Sequence, residues 1–142
     1  MIANSTISKK QQTLKSEIHL DGIGLHTGKK VSINILPADI NNGIQFIRTD
    51  LKSDNIIKAV WSNVSSTNLC TSISNTKGVT VSTIEHLMSA LSGMHVDNAN
   101  VLINNIEVPI MDGSSVDFVK QLESSGVTEQ EIDRKIIVVK KE

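Results

Sequence analysis

The most constraining feature of this chain is the order of its apolar patterns. Short runs with a period of two come first, and the first helical period appears only more than halfway along the chain. Val31, Ile33 and Ile35 alternate with polar residues, which is typical of a half-buried strand. The Asn-Asn-Gly sequence at 41–43 then predicts a hairpin that leads into a strand over 44–47.

Two helices are predicted in the second half of the chain. Apolar residues recur at helical spacing from Ile84 to Leu91, and Gly93 is a plausible C-terminal stop. Ser82 and Glu85 match a capping box, so this helix is expected to begin near Ser82. The second helix is predicted from about residue 114 to residue 126. Further strands are predicted at 12–20, 56–61, 69–73, 101–103 and 136–139.

The resulting order is strands, helix, strands, helix, strand, with short connections in the first half. This order predicts an α+β fold, a two-layer sandwich of a mostly antiparallel sheet with two helices on one face. A length of 142 residues fits one domain. Residues 1–11 are polar and are expected to form a flexible lead-in, and residues 12–142 are expected to form the domain.

Composition excludes several classes of function. The net charge is −1 and only three residues are aromatic, so a nucleic-acid-binding surface is not expected. The single cysteine, Cys70, excludes an intramolecular disulfide framework and fits a reducing cytoplasm. No apolar run approaches the roughly 18 residues of a transmembrane helix.

A carboxylate directly precedes an imidazole in residues 82–87 (STIEHL). His86 is a suitable metal ligand, and Glu85 can accept a proton from a water molecule that a metal ion activates. On pattern alone, Glu85 is equally well explained as the third residue of a capping box. His86 alone is more often a surface or core histidine than a ligand.

Three further segments make the pattern specific: the glycine loop at residues 22–28 (GIGLHTG), residues 69–71 (LCT) and residues 110–114 (IMDGS). The glycine loop lacks the later glycine and the βαβ context of a dinucleotide-binding fingerprint. Together with residues 82–87, these segments resemble the N-terminal domain of the zinc-dependent UDP-3-O-acyl-N-acetylglucosamine deacetylases of lipid A biosynthesis in Gram-negative bacteria. The resemblance extends from about residue 12 to the C-terminus.

The resemblance implies two similar α+β domains, with Zn²⁺ and a UDP-sugar substrate held in the cleft between them. The implied reaction is hydrolysis of the N-acetyl group, which releases acetate and a free amine. The resemblance further implies that His86 is a zinc ligand and that Glu85 is the general base.

Other residues of these segments are candidates by position. His26, Leu69 and Cys70 are expected to line the cleft, and Asp112 is expected to orient a ligand or the substrate. Simpler explanations are a turn residue for His26, a small buried apolar residue for Cys70 and a turn before a helix for Asp112. Leu69 and Met111 are expected to be more exposed than core residues, because they would face the cleft.

The implied zinc site is incomplete in this chain. The resemblance places two further ligands in a His-x-x-x-Asp sequence of the second domain, and no such spacing occurs here. Catalytic zinc needs three protein ligands, so the isolated chain is expected to bind zinc weakly and to be inactive without a second domain in cis or in trans. The alternatives are a non-catalytic half-domain that binds a UDP-sugar or a partner, and a decayed product without function.

Overall fold

The computed structural model describes residues 8–138 and Lys140. In this part of the chain the helices and strands, in order, are β1 (Lys10–Leu14), β2 (Ile18–Ile23), β3 (Lys30–Pro37), β4 (Ile44–Arg48), β5 (Ile56–Lys58), β6 (Val64–Ser66), β7 (Ser72–Ser74), β8 (Thr80–Val81), α1 (Glu85–Gly93), β9 (Ala99–Ile103), α2 (Val116–Ser125) and β10 (Val127–Asp133). A short 3₁₀ turn over Trp61–Asn63 precedes β6. None of the helices in the described residues is long and apolar enough to cross a membrane.

The main sheet has five strands in the order β2-β3-β9-β4-β5. Every pairing in it is antiparallel except that of β4 with β9. Alternate residues along the strands are apolar, so they point to one face of the sheet, and that face is buried. On β3, for example, Ile33 and Ile35 are at most 1% exposed. Helices α1 and α2 contact each other and bury Leu87, Leu91 and Phe118 in the same core. The predicted α+β sandwich is confirmed.

The predicted hairpin at residues 41–43 is wrong, because β9 lies between β3 and β4. The turn itself forms, with Asn41 and Gly43 at positive φ. The Gly43 N–H then donates to Asn98 Oδ1 at 2.8 Å, and the Gly43 carbonyl accepts from the Ala99 N–H at 3.1 Å. These bonds fix the start of β4 to β9, so β4 runs parallel to β9 and does not pair with β3.

The end of the chain also differs from the prediction. The predicted strand over 136–139 is wrong for residues 136–138, and Val139 lies outside the described residues. A strand that the sequence did not predict, β10, pairs antiparallel with β1 in a two-stranded sheet. Its exposed residues are mostly polar, so it carries no apolar alternation. It is held by main-chain pairing with β1 and by the Gln130 side chain, whose Nε2 donates to the Ala38 carbonyl at 2.9 Å and whose Oε1 accepts from Asn98 Nδ2 at 2.7 Å.

The first strand begins at Lys10, inside the predicted lead-in. Gln11 is only 6% exposed, and its Nε2 donates to Asn41 Oδ1 at 2.9 Å. The expectation of flexibility for the earlier part of the lead-in falls on residues 1–7, which lie outside the described part of the chain.

The predicted capping box is wrong, and α1 begins at Glu85 rather than near Ser82. Ser82 forms a bridge with Glu107, in which its N–H donates to the Ile106 carbonyl at 2.8 Å. Thr83 has φ +56°, a conformation incompatible with a helix. The main chain therefore leaves a strand-like bridge, turns sharply at Thr83 and enters the helix only at Glu85. Helix α2 and its end at Gly126, which has φ +74°, agree closely with the prediction.

Candidate functional site

The four segments singled out in the sequence meet at the beginning of α1. The Ile84 N–H lies 3.3 Å from the Thr71 carbonyl, which joins residues 82–87 to residues 69–71. The Ile110 N–H donates to the Ile23 carbonyl at 3.0 Å, which joins residues 110–114 to the glycine loop. The fold therefore brings together segments that are up to about ninety residues apart in sequence.

Glu85 is the first residue of α1 and is half-buried. Its Oε2 accepts a hydrogen bond from the Thr71 N–H at 3.1 Å. An ionised carboxylate has about four acceptor positions, so this single bond orients the group and leaves acceptor capacity for a water or a substrate. The carboxylate is not engaged by Ser82, so it is available to act as a base.

His86 follows on the same turn and is also half-buried. Its carbonyl accepts a hydrogen bond from Ser115 Oγ at 2.9 Å, and this bond fastens the start of α1 to the start of α2. Within residues 8–138, no group of three or more His, Cys, Asp or Glu side chains is placed to hold a metal ion. The described residues therefore do not form a complete zinc site, and the role of His86 as one ligand stays a prediction.

Glu107 connects the glycine loop to the segment that carries Glu85 and His86. Its side chain is almost fully buried, at 1% exposure. Oε1 accepts from the His26 N–H at 3.0 Å and from Thr83 Oγ1 at 2.9 Å, and Oε2 accepts from the Thr27 N–H at 2.9 Å. One carboxylate therefore holds both segments.

These hydrogen bonds determine the ionisation of Glu107. Burial raises the pKa of Glu107, because an ionised carboxylate loses its hydration, but the donors from His26, Thr27 and Thr83 outweigh that effect and hold the pKa below the ordinary value of 4.5. Glu107 is therefore ionised near neutral pH. It is a buried charge that three neutral hydrogen-bond donors stabilise.

Strained backbone occurs in three of the four segments. Leu69, Thr83 and Met111 have φ values of +60°, +56° and +54°. A non-glycine residue in this region costs roughly 1–3 kcal/mol, and such residues occur often at functional sites. Thr83 is the most unfavourable of the three because it is β-branched and buried.

The remaining candidate residues differ in how they join this arrangement. His26 contributes its main-chain N–H to Glu107, and its side chain is exposed. Leu69 is 85% exposed, which agrees with the expectation for a cleft-lining residue, and Met111 is half-buried. Cys70 is half-buried, with Sγ 3.7 Å from Ser72 Oγ.

Asp112 acts within its own turn. Its Oδ1 accepts from the Ser114 N–H at 2.9 Å and from Ser114 Oγ at 2.8 Å. These donors, the hydroxyl first, hold the pKa of Asp112 below its usual range. Ser114 is therefore bonded to Asp112, and Ser115 rather than Ser114 is the residue directly before α2. The turn explanation of Asp112 is sufficient for the contacts seen.

The sequence reasoning missed Glu107 and Ser115 as parts of the site, and it gave Thr71 no role although residues 69–71 were singled out. Ser115 left no signal because it resembles any residue before a helix, and the role of Thr71 left none because it acts through its main-chain N–H. Glu107 left a weak signal, since it is a lone carboxylate between apolar residues in Ile106 to Ile110. An acidic side chain in an apolar extended run predicts a buried charge that needs specific donors.

Comparison with known proteins agrees with this arrangement. The family model described as LpxC, UDP-3-O-acyl N-acetylglycosamine deacetylase, matches residues 11–142. A UDP-3-O-acyl-N-acetylglucosamine deacetylase of Tolumonas auensis is 43% identical over 132 residues, which are 93% of this chain and 43% of that protein. The enzyme of the same name from Chromohalobacter salexigens is 47% identical over 133 residues, 94% of this chain and 44% of that protein. The chain thus spans less than half the length of these curated relatives.

Proposed function

Because this chain belongs to the UDP-3-O-acyl-N-acetylglucosamine deacetylase family, we propose that it supplies one side of a site that removes the N-acetyl group from UDP-3-O-acyl-N-acetylglucosamine. The products are acetate and a free amine, and the reaction belongs to lipid A biosynthesis in the cytoplasm of a Gram-negative bacterium. The observation that carries the proposal is that hydrogen bonds join the four separate segments around the beginning of α1, where Thr71 contacts Glu85 and Ser115 contacts His86.

Glu85 is the general base in this proposal. The Thr71 N–H orients its carboxylate, and its remaining acceptor positions receive the proton of the water that attacks the amide carbonyl. The proton for the departing amine is proposed to come from a histidine of the second domain. A half-buried position favours this role, because the group is reachable by water yet held in one orientation.

His86 is the zinc ligand that this chain contributes. Bound zinc would polarise the amide carbonyl and lower the pKa of water at the site. The two further protein ligands that catalytic zinc needs are proposed to come from a second domain in cis or in trans, in the part of the relatives that this chain does not match. The isolated chain is accordingly proposed to be inactive.

The other segments shape the substrate side of the cleft. His26, Leu69 and Cys70 are proposed to line it, and the high exposure of Leu69 supports this placement. Asp112 is proposed to act indirectly, by fixing the turn that precedes Ser115 and hence the contact between α2 and His86.

The test is a fusion of this chain to the unmatched segment of the Chromohalobacter salexigens relative. Release of acetate from UDP-3-O-acyl-N-acetylglucosamine is measured for the parent fusion and for Glu85→Gln. We expect Glu85→Gln to lower kcat by about 10²-fold or more, because a positioned general base contributes at least that much. The matched control is Glu123→Gln, which changes an exposed carboxylate on α2 and is expected to leave kcat unchanged.

Near-normal turnover by Glu85→Gln would overturn the assignment of the base. A folded parent fusion that binds the substrate without releasing acetate would instead favour a non-catalytic module that binds UDP-sugar.

Zinc content gives a separate test of His86. We expect the purified fusion to retain close to one zinc per molecule and His86→Ala to lose most of it, because three ligands define a catalytic zinc site. The isolated chain, with one ligand, is expected to lose its zinc on dialysis. Elemental analysis measures all three samples, and equal zinc in His86→Ala and the parent would contradict the proposed ligand.

A further inference from the structure

Burying the carboxylate of Glu107 carries a large desolvation penalty, so we expect a role of this side chain other than packing. Its neighbours Ile106 and Val108 already hold residue 82 through main-chain bonds: the Ser82 N–H donates to Ile106, and the Val108 N–H donates to the Ser82 carbonyl at 3.1 Å. The bridge between the two segments therefore forms without the carboxylate. What the carboxylate adds is the connection to the glycine loop and to the Thr83 hydroxyl.

Thr83 is the point at which this connection reaches the site. It is 3% exposed, has φ +56° and stands two residues before Glu85. A β-branched residue does not adopt this conformation unless its surroundings impose it. The hydrogen bond from Thr83 Oγ1 to Glu107 is the side-chain contact that holds it there. The direction in which α1 begins, and hence where Glu85 and His86 lie, depends on that turn.

The glycine loop closes on the same carboxylate. A Cβ at Gly24 would lie 2.4 Å from Glu107 Oε2 and 2.3 Å from Thr27 Oγ1, so only glycine lets the loop approach this closely. Two consecutive N–H groups, of His26 and Thr27, then point at the two carboxylate oxygens. The loop and Thr83 are thus fixed relative to each other by one group.

We propose that Glu107 is a positioning residue, whose buried carboxylate ties the glycine loop to the left-handed turn at Thr83 and thereby sets the placement of Glu85 and His86. The functional part of this inference rests on the proposed deacetylase activity, but the geometric part does not. Glu107 itself touches neither Glu85 nor the proposed zinc ligand through its hydrogen bonds, so its effect passes through Thr83.

The first experiment uses the 142-residue chain itself and needs no activity. Backbone and side-chain NMR resonances are compared for the parent, Glu107→Gln and the control Glu123→Gln. The amide of glutamine replaces one acceptor oxygen with a donor, which cannot face the N–H groups that Glu107 now accepts from. We expect altered Cα and Cβ shifts at Thr83 and altered amide shifts at Glu85 and His86, whereas Glu123→Gln changes only α2.

Thr83→Val covers the case in which Glu107→Gln does not fold. It removes only the hydroxyl that donates to Glu107 and keeps the size and branching of the side chain. We expect the same resonances to move in the same direction. Unchanged Glu85 and His86 resonances in a folded Glu107→Gln or Thr83→Val protein would overturn the proposal.

The second experiment measures kinetics in the fusion described above. We expect Glu107→Gln to lower kcat roughly 10-fold or more with KM changed less than about threefold, because misplacement of catalytic groups by a fraction of an ångström acts mainly on the chemical step. The effects of Glu107→Gln and Thr83→Val are expected to be less than additive when combined, since both break one contact. Fully additive effects of the two substitutions on kcat, or an unchanged kcat in folded Glu107→Gln, would overturn the proposal that Glu107 positions the site. An inactive parent fusion would count against the proposed function alone, because the NMR result stands independently.

Discussion

Gly24 lies where two other groups leave no space for a side chain. It carries ordinary φ, so its role is close approach rather than conformational freedom, and its neighbours Thr27 Oγ1 and Glu107 Oε2 occupy the place of a Cβ. At the scale of single residues, the site is therefore held by a few close fits around one buried carboxylate. Two substitutions measure these fits.

Gly24→Ala is expected to destabilise the chain by about 1–3 kcal/mol, because the added methyl overpacks a closed site. Urea unfolding of the chain measures the change. Gly93→Ala is the control: nothing lies within 4 Å of the position that its added methyl group would take, and it stands in the last turn of α1. It is expected to be neutral or to gain up to about 1 kcal/mol, as alanine favours helices. Equal stability of Gly24→Ala and the parent would contradict the fit.

The pH dependence of stability tests the charge on Glu107. Its folded-state pKa lies below the ordinary 4.5, so its contribution is complete above that pH and is lost as the pH falls through the folded-state value. We expect the unfolding midpoints of the parent and of Glu107→Gln to differ most near neutral pH and to converge as the pH falls below the folded-state pKa of Glu107. The other carboxylates titrate in both proteins, so their contributions to the pH dependence cancel in the comparison. A difference that stays constant with pH would show that Glu107 is not stabilised as an anion.

At the scale of elements, the start of α1 shows why a sequence pattern misled. Ser82 and Glu85 have the spacing of a capping box, yet Ser82 is bridged to Glu107 and the Glu85 carboxylate accepts from Thr71. Both partners come from distant parts of the chain, so no local pattern contains them. The body of α1 and all of α2 were predictable, because their apolar period follows from burial on one face.

Substitution of two serines tests whether a capping box or contacts from distant segments hold the beginning of α1. Ser82→Ala is expected to change the unfolding free energy by less than about 0.5 kcal/mol, whereas loss of a true N-cap costs about 1 kcal/mol. Ser115→Ala is expected to cost about 1 kcal/mol, because its hydroxyl joins α2 to the His86 carbonyl. Chemical denaturation compares both with the parent, and a larger loss for Ser82→Ala than for Ser115→Ala would restore the capping box.

At the scale of the whole molecule, the sequence predicted the layers of the fold but not their connectivity. Alternation identified β3 and β9 as half-buried strands, but it carries no information on which strands are neighbours. The parallel pairing of β4 with β9 depends on Asn98 and Gly43, and β10 depends on pairing with β1. The segments that the sequence singled out do lie close together, because each is a dense motif that a pattern can identify. Glu107 was not predictable, since a single carboxylate has no spacing to recognise.

The surface of the molecule carries apolar residues on the site segments. Leu25 and Leu69 are 59% and 85% exposed. We expect the double substitution Leu25→Ser and Leu69→Ser to reduce binding of the dye ANS while leaving the thermal midpoint unchanged, because these side chains contribute little burial. Fluorescence and calorimetry on the 142-residue chain test this. A lowered midpoint would show that the two leucines are part of the core.

The central position of β9 also governs how the chain can fold as it is synthesised. The β2–β3 and β4–β5 pairs can each form early, but both present an open strand edge until β9, which ends at Ile103, reaches them. The nascent chain therefore exposes these two edges until residues up to Ile103 have emerged from the ribosome. Substitutions that delay the docking of β9 are expected to lower soluble yield in cells more than they lower the stability of the finished protein.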